Sequence, residues 1–110
     1  MTIRIEELEE IALPNFRGGE GTTYMKRFQD EAGNKIMLVR IQPGCSVGMH
    51  THETDMEVCY VLSGHGKADY EGVVSELTPG VAHYCPKGHA HAIYNDGSED
   101  LRLYSLVAAQ

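Results

Sequence analysis

Six histidines occur in this 110-residue chain, and all of them fall between positions 50 and 91. Within that window His50, His52, Glu57 and His91 have the spacing of metal ligands. His50 and His52 are two apart, and in an extended strand residues i and i+2 face the same way, so one segment delivers two imidazoles to one point. The polar run Glu53, Thr54 and Asp55 suits a tight connection, after which Glu57 brings a carboxylate alongside from the neighbouring strand. His91 opens a separate strand beyond the Pro86-Lys87-Gly88 turn. Three neutral imidazole nitrogens and one carboxylate suit one divalent transition-metal ion, whether Mn, Fe, Co, Ni, Cu or Zn. On a six-coordinate ion four protein ligands leave two positions for water or a chelating substrate, whereas tetrahedral zinc would be closed by the same four groups. A lone His-x-His pair would be weak support, since a single strand histidine is usually a satisfied or surface residue.

The elements that must position these groups read as strands. Turn signals recur every eight to twelve residues or so, as expected of an all-β sandwich or barrel. Examples are Gly18-Gly19, Gly33-Asn34, Pro43-Gly44, Ser63-Gly64, Pro79-Gly80 and Asn95-Asp96-Gly97. Between the turns lie β-prone pieces at 22–29, 35–42, 57–62, 66–70, 73–77, 90–94 and 101–107. The start differs. Ile5, Leu8 and Ala12 recur at roughly helical spacing among four Glu, which predicts a short N-terminal helix stopped by Pro14, with an edge strand over Ile3 to Ile5 as the alternative. The four Glu read as a solvated face.

Two stretches carry a family resemblance. Gly44-x5-His50-x-His52-x4-Glu57-x6-Gly64 resembles the first signature motif of the cupin superfamily, and Gly80-x5-Pro86-x-Gly88-x2-His91-x3-Asn95 resembles the second. The two motifs, at 44–64 and 80–95, cover about half the chain, and the flanks carry no signature of their own. The resemblance implies one domain over residues 1–110 with the double-stranded β-helix, a jelly-roll barrel holding a metal near its centre. Carried over position by position, it makes His50, His52, Glu57 and His91 the metal ligands. Similar small proteins include sugar isomerases, dioxygenases, decarboxylases, lyases and non-enzymatic binding domains, so the resemblance does not select a reaction. Two expectations follow: a metalloenzyme acting on a small oxygen-rich metabolite, with Glu57 doubling as a catalytic base, or a non-catalytic binding or sensing module.

Strand alternation fills in the surroundings. With Glu57 inward, Cys59 and Val61 share its face, and Ile93 shares that of His91, so these three are expected to line the pocket. Cys59 also reads as a small buried hydrophobe. Met37, Val39 and Ile41 form one face of their strand and Ile36, Leu38 and Arg40 the other, with Arg40 expected exposed or paired to Glu rather than inside the barrel. His65, His83 and His89 carry no assigned role, although His83 could reach the barrel mouth as a proton carrier. Asn95, ahead of Asp-Gly, reads as a turn former.

Composition narrows the partners to small molecules. Nine Lys and Arg against sixteen Asp and Glu leave a net charge of −7, which argues against nucleic acid and anionic membranes. The longest apolar run, Val58 to Leu62, is far too short to span a bilayer, and Met1 to Glu10 lacks the apolar core of a secretory signal. Three cysteines without a Cys-x-x-Cys spacing argue against a disulfide framework and for the cytoplasm. An apolar outer strand face would need covering, which predicts a homodimer.

Overall fold

Ten strands make up most of the chain in the computed structural model, which describes all residues from Met1 to Gln110. They are β1 (Ile11–Pro14), β2 (Thr22–Gln29), β3 (Lys35–Ile41), β4 (Ser46–Thr51), β5 (Asp55–Ser63), β6 (Gly66–Tyr70), β7 (Val73–Leu77), β8 (Ala82–Cys85), β9 (Ala90–Tyr94) and β10 (Leu101–Ala109). Every pairing is antiparallel. One sheet has six strands in the order β1-β2-β3-β10-β5-β8, and the other has four in the order β4-β9-β6-β7. This is the all-β, double-stranded β-helix architecture.

Alternation of side chains explains which face closes inward. On β3, Met37, Val39 and Ile41 are buried; on β10, Leu101, Leu103, Ser105 and Val107; on β5, Glu57, Cys59 and Val61. The registers put these residues in transverse rows. Glu57 lies beside Val107 and Lys35, Cys59 beside Ser105 and Met37, and Val61 beside Leu103 and Val39. Polar groups therefore gather at one end of the barrel, and Ile41, Leu101 and Leu77 fill the other. Asn95 stitches the turn after β9: its side-chain amide donates to the carbonyls of Ile41 (2.8 Å) and Glu99 (2.7 Å), and its Oδ1 accepts from the Gly97 amide at 2.8 Å. It is a turn former, as its sequence context implies.

The N-terminal expectation needs correcting. A single 3-10 turn, Ile5–Glu7, stands where a short helix was expected, and the edge strand is Ile11–Pro14 rather than residues 3–5. Three apolar residues over eight positions bury too little surface to hold a helix nucleus, which is costly to form. Pro14 ends an edge strand, where a missing N–H costs nothing. The acidic residues Glu6, Glu7, Glu9 and Glu10 are exposed. Arg40 lies on the outer face, paired with Glu10 at 2.9 Å and Asp100 at 3.3 Å, and its guanidinium sits 4.2 Å from the Tyr24 ring centre. No helix is long and apolar enough to cross a membrane.

Candidate metal centre

Four segments converge on one point at the polar end. β4 delivers His50 through a bulge between Val47 and His50, which restores the inward parity that an odd spacing would lose. Gly48 lies in that bulge, pressed so tightly against the Arg17 carbonyl and Gly19 amide that a Cβ there would collide with backbone. Its own carbonyl accepts the Nδ1–H of His50 at 2.7 Å. His52 lies just past β4, yet its backbone is held. Its amide donates to the His89 carbonyl at 3.0 Å, and its carbonyl accepts from Gly88 at 2.7 Å. The turn of the second motif thereby fixes a candidate ligand of the first.

The donor atoms are close. Nε2 of His52 lies 3.2 Å from Nε2 of His50 and 3.0 Å from Nε2 of His91. Oε1 of Glu57 lies 3.2 Å from His52 Nε2 and 3.0 Å from His91 Nε2. All four donors fall within 4.8 Å of one another, so this group could hold one metal ion.

Hydrogen-bond polarity tests whether the donor set fits an ion. The Gly48 carbonyl can only accept, so His50 carries its proton on Nδ1 and leaves Nε2 bare. His52 donates Nδ1–H to Asp55 at 2.6 Å, which orients its Nε2 inward. His91 Nδ1 lies 2.8 Å from Nε2 of His83. Burial drives the His83 imidazole down to about 4, so at neutral pH it is uncharged and can accept the His91 Nδ1–H. Three imidazoles so oriented aim lone pairs at one another beside a carboxylate, an arrangement that could hold a cation in its middle. The pKa directions agree. Burial alone would raise Glu57, but the imidazoles of His52 and His91, 3.2 and 3.0 Å from its Oε1, outweigh it and hold the carboxyl well below its usual range. The bond to Glu57, opposed by burial and aided by Asp55, lifts His52, while burial lowers His50.

The chain's relationships bear on this geometry. The family model described as "Cupin domain" matches residues 37–107. The chain belongs to the cupin family. This cupin is 30% identical over 112 residues to an oxalate-binding protein of Thermotoga maritima, a match covering 97% of this chain and 93% of that one. It superposes with a TM-score of 0.88 and 27% identity on the crystal structure of a predicted oxalate decarboxylase from Thermotoga maritima, each chain covered in full. A putative sugar phosphate isomerase from Acidithiobacillus ferrooxidans is also similar, at 33% identity and TM-score 0.65, over 70% of this cupin and 51% of that chain.

Beside the four donors lies a cavity of about 130 Å³. Cys59 and Ile93 line it, as does Ser105; Val61, buried on the same side of β5, packs in the core and is not among the lining residues. Burial pushes the Cys59 thiol well above its usual range, and its sulfur accepts a bond from the Ser105 hydroxyl at 3.3 Å, so it presents a neutral thiol. Of the remaining histidines, His65 and His89 are exposed. His83 is buried against His91, with the two rings stacked at 5.1 Å between centres. Sequence reasoning passed over Asp55 and offered His83 only as a proton carrier at the barrel mouth, whereas it is buried with its Nε2 2.8 Å from His91 Nδ1. Recognising Ala82–Cys85 as a strand would have exposed His83, because alternation turns it and Cys85 inward together.

Proposed function

We propose that His50, His52, Glu57 and His91 hold one divalent transition-metal ion, and that this cupin uses the ion to bind a small, oxygen-rich anion of the oxalate kind. The convergence of three inward-aimed imidazole nitrogens and one carboxylate beside a cavity carries the reading. Four of the donor pairs stand 3.0–3.2 Å apart, close enough to share one ion. On a six-coordinate ion these four ligands would leave two positions for a chelating pair of oxygens. When bound, the metal polarises a coordinated carbonyl or carboxylate. The likeness to an oxalate-binding protein and to a predicted oxalate decarboxylase supports a carboxylate ligand.

Binding is favoured over turnover because neither of the cavity's other acid–base candidates beside the donors is free. Asp55 is committed to His52, and Cys59 is a neutral thiol bonded to Ser105. The enzymatic alternative needs Glu57 to leave the metal and act as the base, which its burial between His52 and His91 opposes. Elemental analysis of protein purified without added metal tests the site: about one transition-metal ion per chain is expected, and a metal-free, metal-refusing protein would end the reading. Oxalate added to the Mn(II)-loaded protein should give saturable calorimetric heat without a released product; carbon dioxide release would favour the enzyme.

The same reading includes a homodimer in a reducing compartment such as the cytoplasm. Tyr60 and Leu62 on β5, Tyr84 on β8, and Tyr104 and Leu106 on β10 are exposed on one outer sheet face, where Tyr104 pairs with Tyr60, and Val58 lies between Leu106 and Tyr84. Two copies carrying −7 each approach most favourably through such a largely apolar face. The three cysteines are all free. A sedimentation mass of one chain at micromolar concentration would remove the dimer.

A further inference from the structure

The cavity has a second end that the metal ligands do not explain. Arg17, Arg27 and Lys35 all line it. Lys26, Arg40, Lys67 and Arg102 each have a carboxylate in ion-pair contact, but none of these three does. In a chain with sixteen acidic residues and nine basic ones, three cations without a carboxylate partner around one opening concentrate positive charge at that end of the cavity.

Sheet register fixes their distance from the metal site. Lys35 pairs with Val107, which pairs with Glu57, so Lys35 lies in the Glu57 row two strands away, roughly 10 Å across the sheet. Arg27 pairs with Met37, next to Ser105 and Cys59, one row further along and three strands from β5. Arg17 comes from a turn whose backbone is left-handed there, at φ 55°, and whose carbonyl is wedged against Gly48 of the β4 bulge. Between cations and metal ligands the wall is apolar, formed by Met37, Val39, Leu103 and Val107. An occupant that only chelates would fill the metal end and leave the cations without counter-charge.

We propose that the ligand of this cavity is a dianion with two separate ends: a chelating pair of oxygens at the His/Glu site, and a second carboxylate or phosphate, set off by a short carbon spacer, received by Arg27 and Lys35 with Arg17 at the opening. The inference rests on the metal-site reading and narrows its ligand class. Exposed ion pairs are individually weak, but three cations with no partner to displace together support about tenfold discrimination for the second anion.

Calorimetry on the Mn(II)-loaded protein at fixed ionic strength tests it with matched probes. 2-Oxoglutarate and 2-oxopentanoate share a chelating head and carbon number and differ in the terminal carboxylate; phosphonopyruvate against pyruvate asks the same of a phosphorus oxyanion. The dianion of at least one pair should bind about tenfold more tightly, and which pair shows it identifies the terminal group. In the Arg27→Gln/Lys35→Gln variant the preference should fall to near unity while Mn(II) affinity holds. Equal binding within both pairs, or a preference that survives the double substitution, would overturn the inference. Those failures leave the metal reading intact, because Mn(II) binds in both cases. A wild-type protein that takes up no Mn(II) would overturn the two together.

Discussion

His52 and His65 each hold a carboxylate at 2.6 Å, Asp55 in one case and Glu76 in the other. The surroundings differ. The His52 side chain is 8% exposed and its Nε2 meets two further imidazoles and Glu57, whereas His65 is 45% exposed among Glu76, Asp96 and Lys67. In the buried cluster every nitrogen is already aimed, and desolvation makes an unpaired charge costly, so the group is suited to a cation. In the exposed network water competes for each contact, salt screens it, and the same residue types settle nothing beyond local surface charge.

Removing a donor from the buried cluster should have the largest effect. His52→Ala takes away a nitrogen that stands within 3.2 Å of each of the other three donors, and metal content by elemental analysis should fall from about one ion per chain to background. Lowering the pH should act on the same atoms. Protons compete for imidazole nitrogens, and His52 is lifted by Glu57, so it holds its proton to a higher pH than an ordinary imidazole. Apparent Mn(II) affinity, followed by titration calorimetry, should rise with pH through and somewhat above the usual histidine range. A flat profile would mean that the imidazoles are not the ligands.

The partners of the ligands come next. Asp55→Ala leaves His52 Nδ1 without its acceptor and should weaken Mn(II) binding about 10- to 100-fold without abolishing it. His83→Leu leaves the buried Nδ1–H of His91 unpaired, at a cost of about 1–3 kcal/mol to the folded protein, and should weaken metal binding by roughly tenfold. His83→Gln offers an acceptor oxygen and should recover much of both. Thermal unfolding with and without metal reads the two effects apart, because a purely structural role would shift both melting curves equally.

These partners also mark where the sequence stopped being readable. His50, His52, Glu57 and His91 were legible because each sits in a short pattern bounded by glycines, and the period of two in β5 and β9 carried Cys59 and Ile93 to the cavity with them. Val61 has the correct parity but lies one row deeper, and parity fixes the face of a strand, not the depth along it. Asp55 was read as part of a connection because its role depends on how the chain turns between β4 and β5. His83 sits on a four-residue strand, too short to announce its alternation. Arg17, Arg27 and Lys35 come from separate segments, and only the registers of β2, β3 and β10 bring them around one opening. At the N-terminus, three apolar residues imitated helical spacing that had no partner surface to pack against.

The smallest effect is expected from the exposed network, and it tests the comparison from the other side. His65→Ala removes contacts to Glu76 and Asp96, but both carboxylates are open to water, and Asp96 retains Lys67 at 2.6 Å. The melting temperature should move by less than about 3 °C, and Mn(II) affinity should not move at all. Raising the salt concentration should shrink even that small shift, since screening has already taken most of the pair's worth. A loss of stability or metal affinity comparable with that of Asp55→Ala would show that a 2.6 Å contact counts equally wherever it lies, and that burial is not what separates the two histidines.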